Sequence, residues 1–297
     1  MTAAPPPRDS VLDALGYGIR VLGKPQFLWA PFVLYVILLL PLLATPGMTS
    51  YPSSFETQGD FEAYFREFVP MLAGSIVTGI VVGPLLSAVM YRLARQYVEG
   101  APPEPFGPGI VGLAWRFFLQ TLVLFVLGAI SLLAAILVLA FLYGIAGAGV
   151  AILVATIGWL VVYLLVVLRV VLAPVLLLEG AGPVESIGKS WALTRGHIGR
   201  VFRWVIVSGL IVGLGAALIS AVIAGLFAGL GQPAVGQFLG TLVASPIGLV
   251  GTIVVVLLAR LLSSPVQAPP PPPALPDWMN PSGPASEPPT SPPGAAD

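Results

Sequence analysis

The chain has 297 residues, of which 57% are apolar and only 9% charged, with a mean hydropathy of +0.97 and a formal net charge of +0. An ordinary soluble domain carries about 25% charged residues, so this chain has too little polar surface to stay dissolved, and its zero net charge gives no bulk attraction to nucleic acid. Cysteine is absent, which excludes disulfides, thiolate nucleophiles and cysteine metal sites.

Arg outnumbers Lys, and Ala, Gly and Pro are abundant, the bias of a GC-rich bacterial gene. The N-terminus does not read as a cleavable signal peptide. Mostly polar or amphipathic residues come first, and the apolar run that follows reaches spanning length.

A bilayer core takes about 20 apolar residues in helical form, because backbone in hydrocarbon must satisfy its own hydrogen bonds. Six stretches meet that condition: Phe27–Ala44, Val69–Tyr91, Phe117–Leu142, Val150–Leu172, Val205–Phe227 and Phe238–Leu262. The third and fourth are separated only by the glycine-rich turn Tyr143–Gly149 and form a tight hairpin. The expected fold is therefore an all-α transmembrane bundle over residues 1–262, followed by a tail over 263–297.

Orientation follows from Lys and Arg, which concentrate in cytoplasmic loops. With six spans, all of the 13 Lys and Arg residues except Arg66 fall on one side, so both termini are expected in the cytoplasm. Arg66 sits in an acidic outer loop, Thr45–Glu67, with Glu56, Asp60, Glu62 and Glu67. Spans one, three and five start about 90 residues apart. Each follows a segment mixing apolar, aromatic and basic residues: Val11–Lys24, Gly109–Phe118 and Pro183–Phe202. Such segments suit helices lying in the membrane interface, which suggests a unit of interfacial helix plus hairpin used three times.

Small residues recur every fourth position in three spans, as Ser75-Gly79-Gly83-Ser87, Gly213-Ala217-Ala221-Gly225-Gly229 and Gly240-Ala244-Gly248-Thr252. Rows of this kind let helix backbones approach closely in lipid. Prolines interrupt spans at Pro41, Pro84 and Pro246, each removing a helical hydrogen bond. Arg169 is the one charge near membrane depth, within reach of the headgroups by snorkelling or of Glu179 by pairing. From Ser263 the chain turns rich in Pro, Ser, Ala and Gly, with five consecutive prolines at Pro269–Pro273. It cannot bury enough to offset its ordering entropy and is expected to be disordered. A recruiting function for it would rest on Trp278, whose indole buries the most area there.

Catalysis has little to stand on. There is one histidine, His197, and no His and carboxylate cluster has metal-ligand spacing. No cofactor is implied.

The most specific segment is Ala173-Pro-Val-Leu-Leu-Leu-Glu179, Pro183-Val-Glu185-Ser-Ile-Gly-Lys-Ser190-Trp191-Ala-Leu-Thr-Arg195-Gly196, then Arg200-Val-Phe-Arg203. It resembles the membrane domain of the glycerophosphoryl diester phosphodiesterase membrane domain family and related six-span bacterial proteins, as does Asp13-Ala-Leu-Gly-Tyr-Gly18. The resemblance implies the membrane domain alone, because the separate phosphodiesterase barrel needs about 250 further residues and metal-binding acids and histidines. Pro183 and Glu185 suit the first turn of a helix. Val184, Ile187 and Trp191 would then share a face as an indole-anchored interfacial helix. The function expected is a non-catalytic membrane scaffold or interaction module, with a carrier or channel for a small or lipid-like solute as the alternative. The partners in prospect are membrane lipids, a second copy of the chain, and a cytoplasmic protein bound at Trp278.

Overall fold

The computed structural model describes residues 10–43, 58–146 and 148–263, and these residues are helical with no strand. The helices are α1 (Val11–Ile19), α2 (Pro25–Leu43), α3 (Gln58–Glu99), α4 (Ile110–Ala146), α5 (Ala148–Val170), α6 (Ala173–Leu178), α7 (Pro183–Thr194), α8 (Ile198–Gly229) and α9 (Pro233–Ser263). Five of these stretches are long and apolar enough to cross a membrane, and a sixth is added if α1 and α2 are counted as one bent span. The proline-rich tail, its Trp278, Arg8 and much of the expected outer loop lie outside the described residues.

Ser10 caps α1 by accepting from the Asp13 N–H at 3.3 Å. A short 3-10 turn, Arg20–Gly23, then turns the chain by 82° into α2. Proline at the first position of α2 suits this start, since its missing N–H has no helical partner there. The second expected interfacial segment differs. From Ile110 to Phe118 the chain is simply the first turns of α4. No proline or left-handed glycine interrupts it, whereas α7 and α8 are parted by Gly196 at φ +84°. The sequence unit of helix plus hairpin is therefore not used three times in the same form. The outer loop is also shorter than expected, because α3 begins at Gln58. Residues 60–69 contain no Gly or Pro to stop a helix, and acidic residues favour its positive end.

The packed core sits at one end of the bundle. It combines α1, the start of α2, the last turns of α3, the start of α4, the end of α5, α6 and the start of α8 around the second half of α9. Phe27, Leu93, Leu168, Leu172, Leu177, Trp204, Leu249, Ile253 and Leu258 are essentially fully buried there. Every described Lys and Arg except Arg66 belongs to this end, which is called the basic end below. Arg66 lies 33 residues before Glu99 on the same helix, about 50 Å away along its axis.

Toward the opposite end the helices lose this common core. Phe125, Leu133, Leu137 and Phe141 of α4, Leu160 and Val162 of α5, and Leu214, Leu218 and Leu226 of α8 are exposed. Apolar side chains on the outside of long helices are what a hydrocarbon solvent allows. The α8–α9 pair stays close throughout, because Gly236 and Gly240 face the backbone of Ala224 and Ser220. Pro246 leaves α9 unbroken. The Leu242 carbonyl, which loses its helical donor at Pro246, accepts from Ser245 Oγ at 2.7 Å instead.

Only one of the three small-residue rows closes tightly on a neighbour. A Cβ at Gly240 would lie 2.7 Å from the Ser220 carbonyl oxygen, whereas one at Gly79, Gly83, Gly213, Gly225 or Gly229 would meet nothing within 4 Å. The α8 row thus faces away from α9, and Ser220, Ala224 and Phe227 form the contact. Gly240→Ala should destabilise the protein by about 1–3 kcal/mol through overpacking. Gly225→Leu should melt with the parent protein in a detergent thermal scan. Equal losses for the two would contradict this packing.

Candidate functional site

The segment singled out in the sequence folds into a compact junction of α4, α5, α6 and α7 at the basic end. α5 stops at Val170, and α6 restarts at Ala173 with Pro174 in its first turn. α6 ends at Leu178, and Gly180 at φ +98° takes the left-handed conformation that reverses the chain toward α7. α7 opens with Pro183, and its Glu185 Oε2 accepts from the Gly182 N–H at 3.1 Å. Lys189 Nζ holds the other oxygen of Glu185 at 2.7 Å. The Lys189 hydrogen bond, then the Gly182 N–H and the Lys189 charge, keep this carboxyl below its ordinary pKa.

The buried row of α7 is polar. Ser186, Ser190 and Thr194 are 0% exposed, while Val184 is 68% and Trp191 47% exposed. Val184 and Trp191 do point away from the protein, as an interfacial face would, but three small hydroxyl residues make the inward contact. Each hydroxyl is satisfied. Ser186 Oγ donates to the Pro183 carbonyl at 2.8 Å and accepts from Gln120 Nε2 at 3.1 Å. Ser190 Oγ donates to the Arg169 carbonyl at 2.7 Å, at the frayed end of α5. Thr194 Oγ1 donates to the Ser190 carbonyl at 2.9 Å. Small side chains let α7 settle closely on α4 and α5, and buried hydroxyls with partners cost little.

Of the seven singled-out residues, the structure brings Arg169, Ser190 and Trp191 together. The Arg169 guanidinium lies 5.4 Å from the centre of the Trp191 ring, a cation–π distance. Glu179 does not pair with it and is exposed at the end of α6. Glu185 is committed to Lys189, and Arg195 is exposed past the end of α7. Gly196 supplies the turn into α8.

Several residues of the junction escape a reading of the segment alone. Gln120 is the clearest, since an amide inside an apolar run signals a buried partner. Arg95 reaches the Leu178 carbonyl from α3 at 3.4 Å and pairs with Glu99 at 2.9 Å. Glu99 also takes Arg260 of α9 at 2.7 Å. Arg92 donates to the Gly107 and Pro108 carbonyls, fixing the loop between α3 and α4. On the far side of α3, Tyr17 and Tyr97 each donate to the other's carbonyl, at 3.2 and 3.3 Å, and Lys24 lies over the Tyr97 ring. Apart from the i,i+4 pair Arg95–Glu99, these contacts link positions up to 161 residues apart and have no local sequence signal.

Among the described residues no group of three or more His, Asp and Glu side chains comes together to hold a metal. Three buried side-chain nitrogens among the described residues lack a partner: Trp159 Nε1, Arg169 Nη1 and Trp204 Nε1. The indoles are neutral, whereas Arg169 carries a charge.

The turn at Gly196 provides a direct test of the junction. Added side chains at Gly196 and Gly188 would both meet empty space, but only Gly196 has a left-handed backbone. Gly196→Ala should cost about 1–2 kcal/mol, while Gly188→Ala, inside α7, should be neutral or stabilising by up to about 1 kcal/mol. Paired thermal melts check this, and equal behaviour would contradict the turn. No protein-family model, no curated protein and no solved structure matches the chain, so its function rests on its own geometry.

Proposed function

We propose that the chain is a multi-pass protein of the bacterial cytoplasmic membrane that works without catalysis, as a scaffold or interaction module. In this reading it has six spans, with both termini and the basic end in the cytoplasm. α1 and α7 lie in the inner-leaflet interface. In this reading it corresponds to the membrane domain alone of the phosphodiesterase-related group that the Ala173–Arg203 segment resembles.

The observation that carries the scaffold reading is the filled basic end. Trp204, Leu168, Leu249, Ile253 and Leu258 occupy the middle of the end that faces the cytoplasm in this topology. A carrier needs a path through that end, and side chains packed this closely resist opening one. The inside-out character of α7 supports the interfacial placement. Exposed Val184 and Trp191 suit acyl chains and the headgroup boundary, where indoles are enriched. Trp29, Phe106 and Trp115 are exposed at the same end and extend that aromatic belt. A carrier for a small or lipid-like solute is the second reading, and the unpartnered nitrogen of Arg169 is what favours it.

The chain has no cysteine, so single-cysteine labelling is clean. With an impermeant maleimide, Arg66→Cys should label in spheroplasts, and Lys189→Cys only after permeabilisation. Both positions are exposed. Labelling of both from the same side would contradict the six-span topology.

A further inference from the structure

Arg169 is oriented without an anion. One of its nitrogens is buried with no acceptor, its guanidinium is covered by the Trp191 ring, and its backbone carbonyl is taken by Ser190. An aromatic face attracts a cation but does not accept the in-plane N–H bonds of a guanidinium. Leaving a charged donor desolvated and unpaired is costly, more so than leaving an indole unpaired. The nearby carboxylates do not relieve it. Glu185 is held by Lys189, and Glu99 by Arg95 and Arg260, while Glu179 points into solvent.

The surroundings are short of negative charge in general. The described residues of the basic end include eleven Lys and Arg (20, 24, 92, 95, 116, 169, 189, 195, 200, 203, 260) against five acids (13, 99, 104, 179, 185), a surplus of six positive charges. A planar guanidinium with free donors matches the oxygens of a phosphate group, and a positive surround adds to the attraction. Next to it, Trp191 and Val184 offer an exposed apolar strip on the outer face of α7. That combination, one phosphate site beside an apolar strip at the headgroup level, fits the glycerophosphate end of a lipid.

We propose that Arg169, beneath Trp191 at the α5–α7 junction, binds the phosphate of an anionic glycerophospholipid of the inner leaflet. The lipid source rests on the membrane placement proposed above, whereas phosphate recognition by Arg169 does not. The phosphate oxygens take the in-plane donors of the guanidinium, the indole covers one face of it, and the glycerol and first acyl carbons lie along Trp191 and Val184. Lipid bound there would tie α5 to α7 and close the junction from outside.

The test uses the full-length protein in neutral detergent, melted with increasing short-chain phosphatidylglycerol or, separately, inorganic phosphate. A ligand that binds only the folded state raises the melting temperature in a saturable way. Phosphatidylglycerol should do so for the parent protein, and Arg169→Gln should weaken the apparent affinity about 10- to 100-fold, the loss of a charged hydrogen-bonded contact. Lys189→Gln, on the exposed side of α7, should bind like the parent. If inorganic phosphate gives the same Arg169-dependent shift, the site holds and its source is free phosphate. If Arg169→Gln responds like the parent, or Lys189→Gln loses as much, the site is overturned and the effect is bulk charge. Should Arg169→Gln fail to fold, Arg169→Lys, which keeps the charge but loses the planar fork, decides the matter: unchanged affinity overturns the site. The labelling of Arg66→Cys and Lys189→Cys reads the membrane placement independently of any lipid binding.

Discussion

From Leu249 to Ala259, α9 has no exposed residue: eight of the eleven are buried, and Gly251, Thr252 and Val255 are partly buried. A helix in that position cannot amphipathically divide itself between core and surroundings, so the rest of the basic end has to be built around it. The sequence meets this demand with a stretch of large apolar residues interrupted only by Gly251 and Thr252, namely Leu249, Val250, Ile253, Val254, Val256, Leu257 and Leu258, against which α1, α2, α3 and α8 pack. Gly248 and Gly251 lie on the approach, where Met90, Tyr35 and Val212 come close. Arg260, one residue past this post, then reaches Glu99 and pins the end of α3 to the end of α9. The pairing is partly exposed and contributes little by itself; the apolar enclosure of α9 is what fixes where the charged groups meet.

The asymmetry between the two ends follows from the same constraint. α1, α2, α3 and α8 converge on α9 near its C-terminus, and toward the opposite end α4, α5 and α8 carry exposed apolar surface. Small hydroxyl residues replace bulk wherever a further helix has to fit, as on α7, while glycine does so where α9 meets α8. In water, a helix with its hydroxyls inside and its indole outside would be misassembled. Beside lipid it is an economical arrangement, since the apolar solvent gives no reason to bury Val184 or Trp191.

Much of this was legible in the sequence. The helical class followed from composition and from the length of the apolar runs, and the start of α7 from Pro183, which suits a helix's first turn. What the sequence hid was set by distance along the chain. Rows of Gly and Ala on α8 and α9 look alike, and only the partner decides that the α9 row is an interface while Gly213–Gly229 is not. The segment 109–118 has the composition of an interfacial helix, but without a chain reversal after it the span simply starts early. Within the candidate junction, Arg169, Ser190 and Trp191 were recognisable as a segment. Gln120 and Arg95 were not, because their partners Ser186 and Leu178 lie 66 and 83 residues away. Of the two fates open to Arg169 in the sequence, snorkelling or pairing with Glu179, the pairing is not formed, because the turn at Gly180 ends α6 with Glu179 exposed.

The central claim is that the bundle is fixed at its basic end and less constrained away from it. Pulsed electron resonance on the protein in lipid nanodiscs measures this directly through spin-label pairs at exposed positions of α4 and α8. Val111 with Phe202 reports the basic end, and Leu133 with Leu226 the opposite halves. The first pair should give a single narrow distance distribution and the second a clearly broader one, since segments with few buried contacts sample more positions. Equally narrow distributions at both ends, or a broad one at the basic end, would contradict the account.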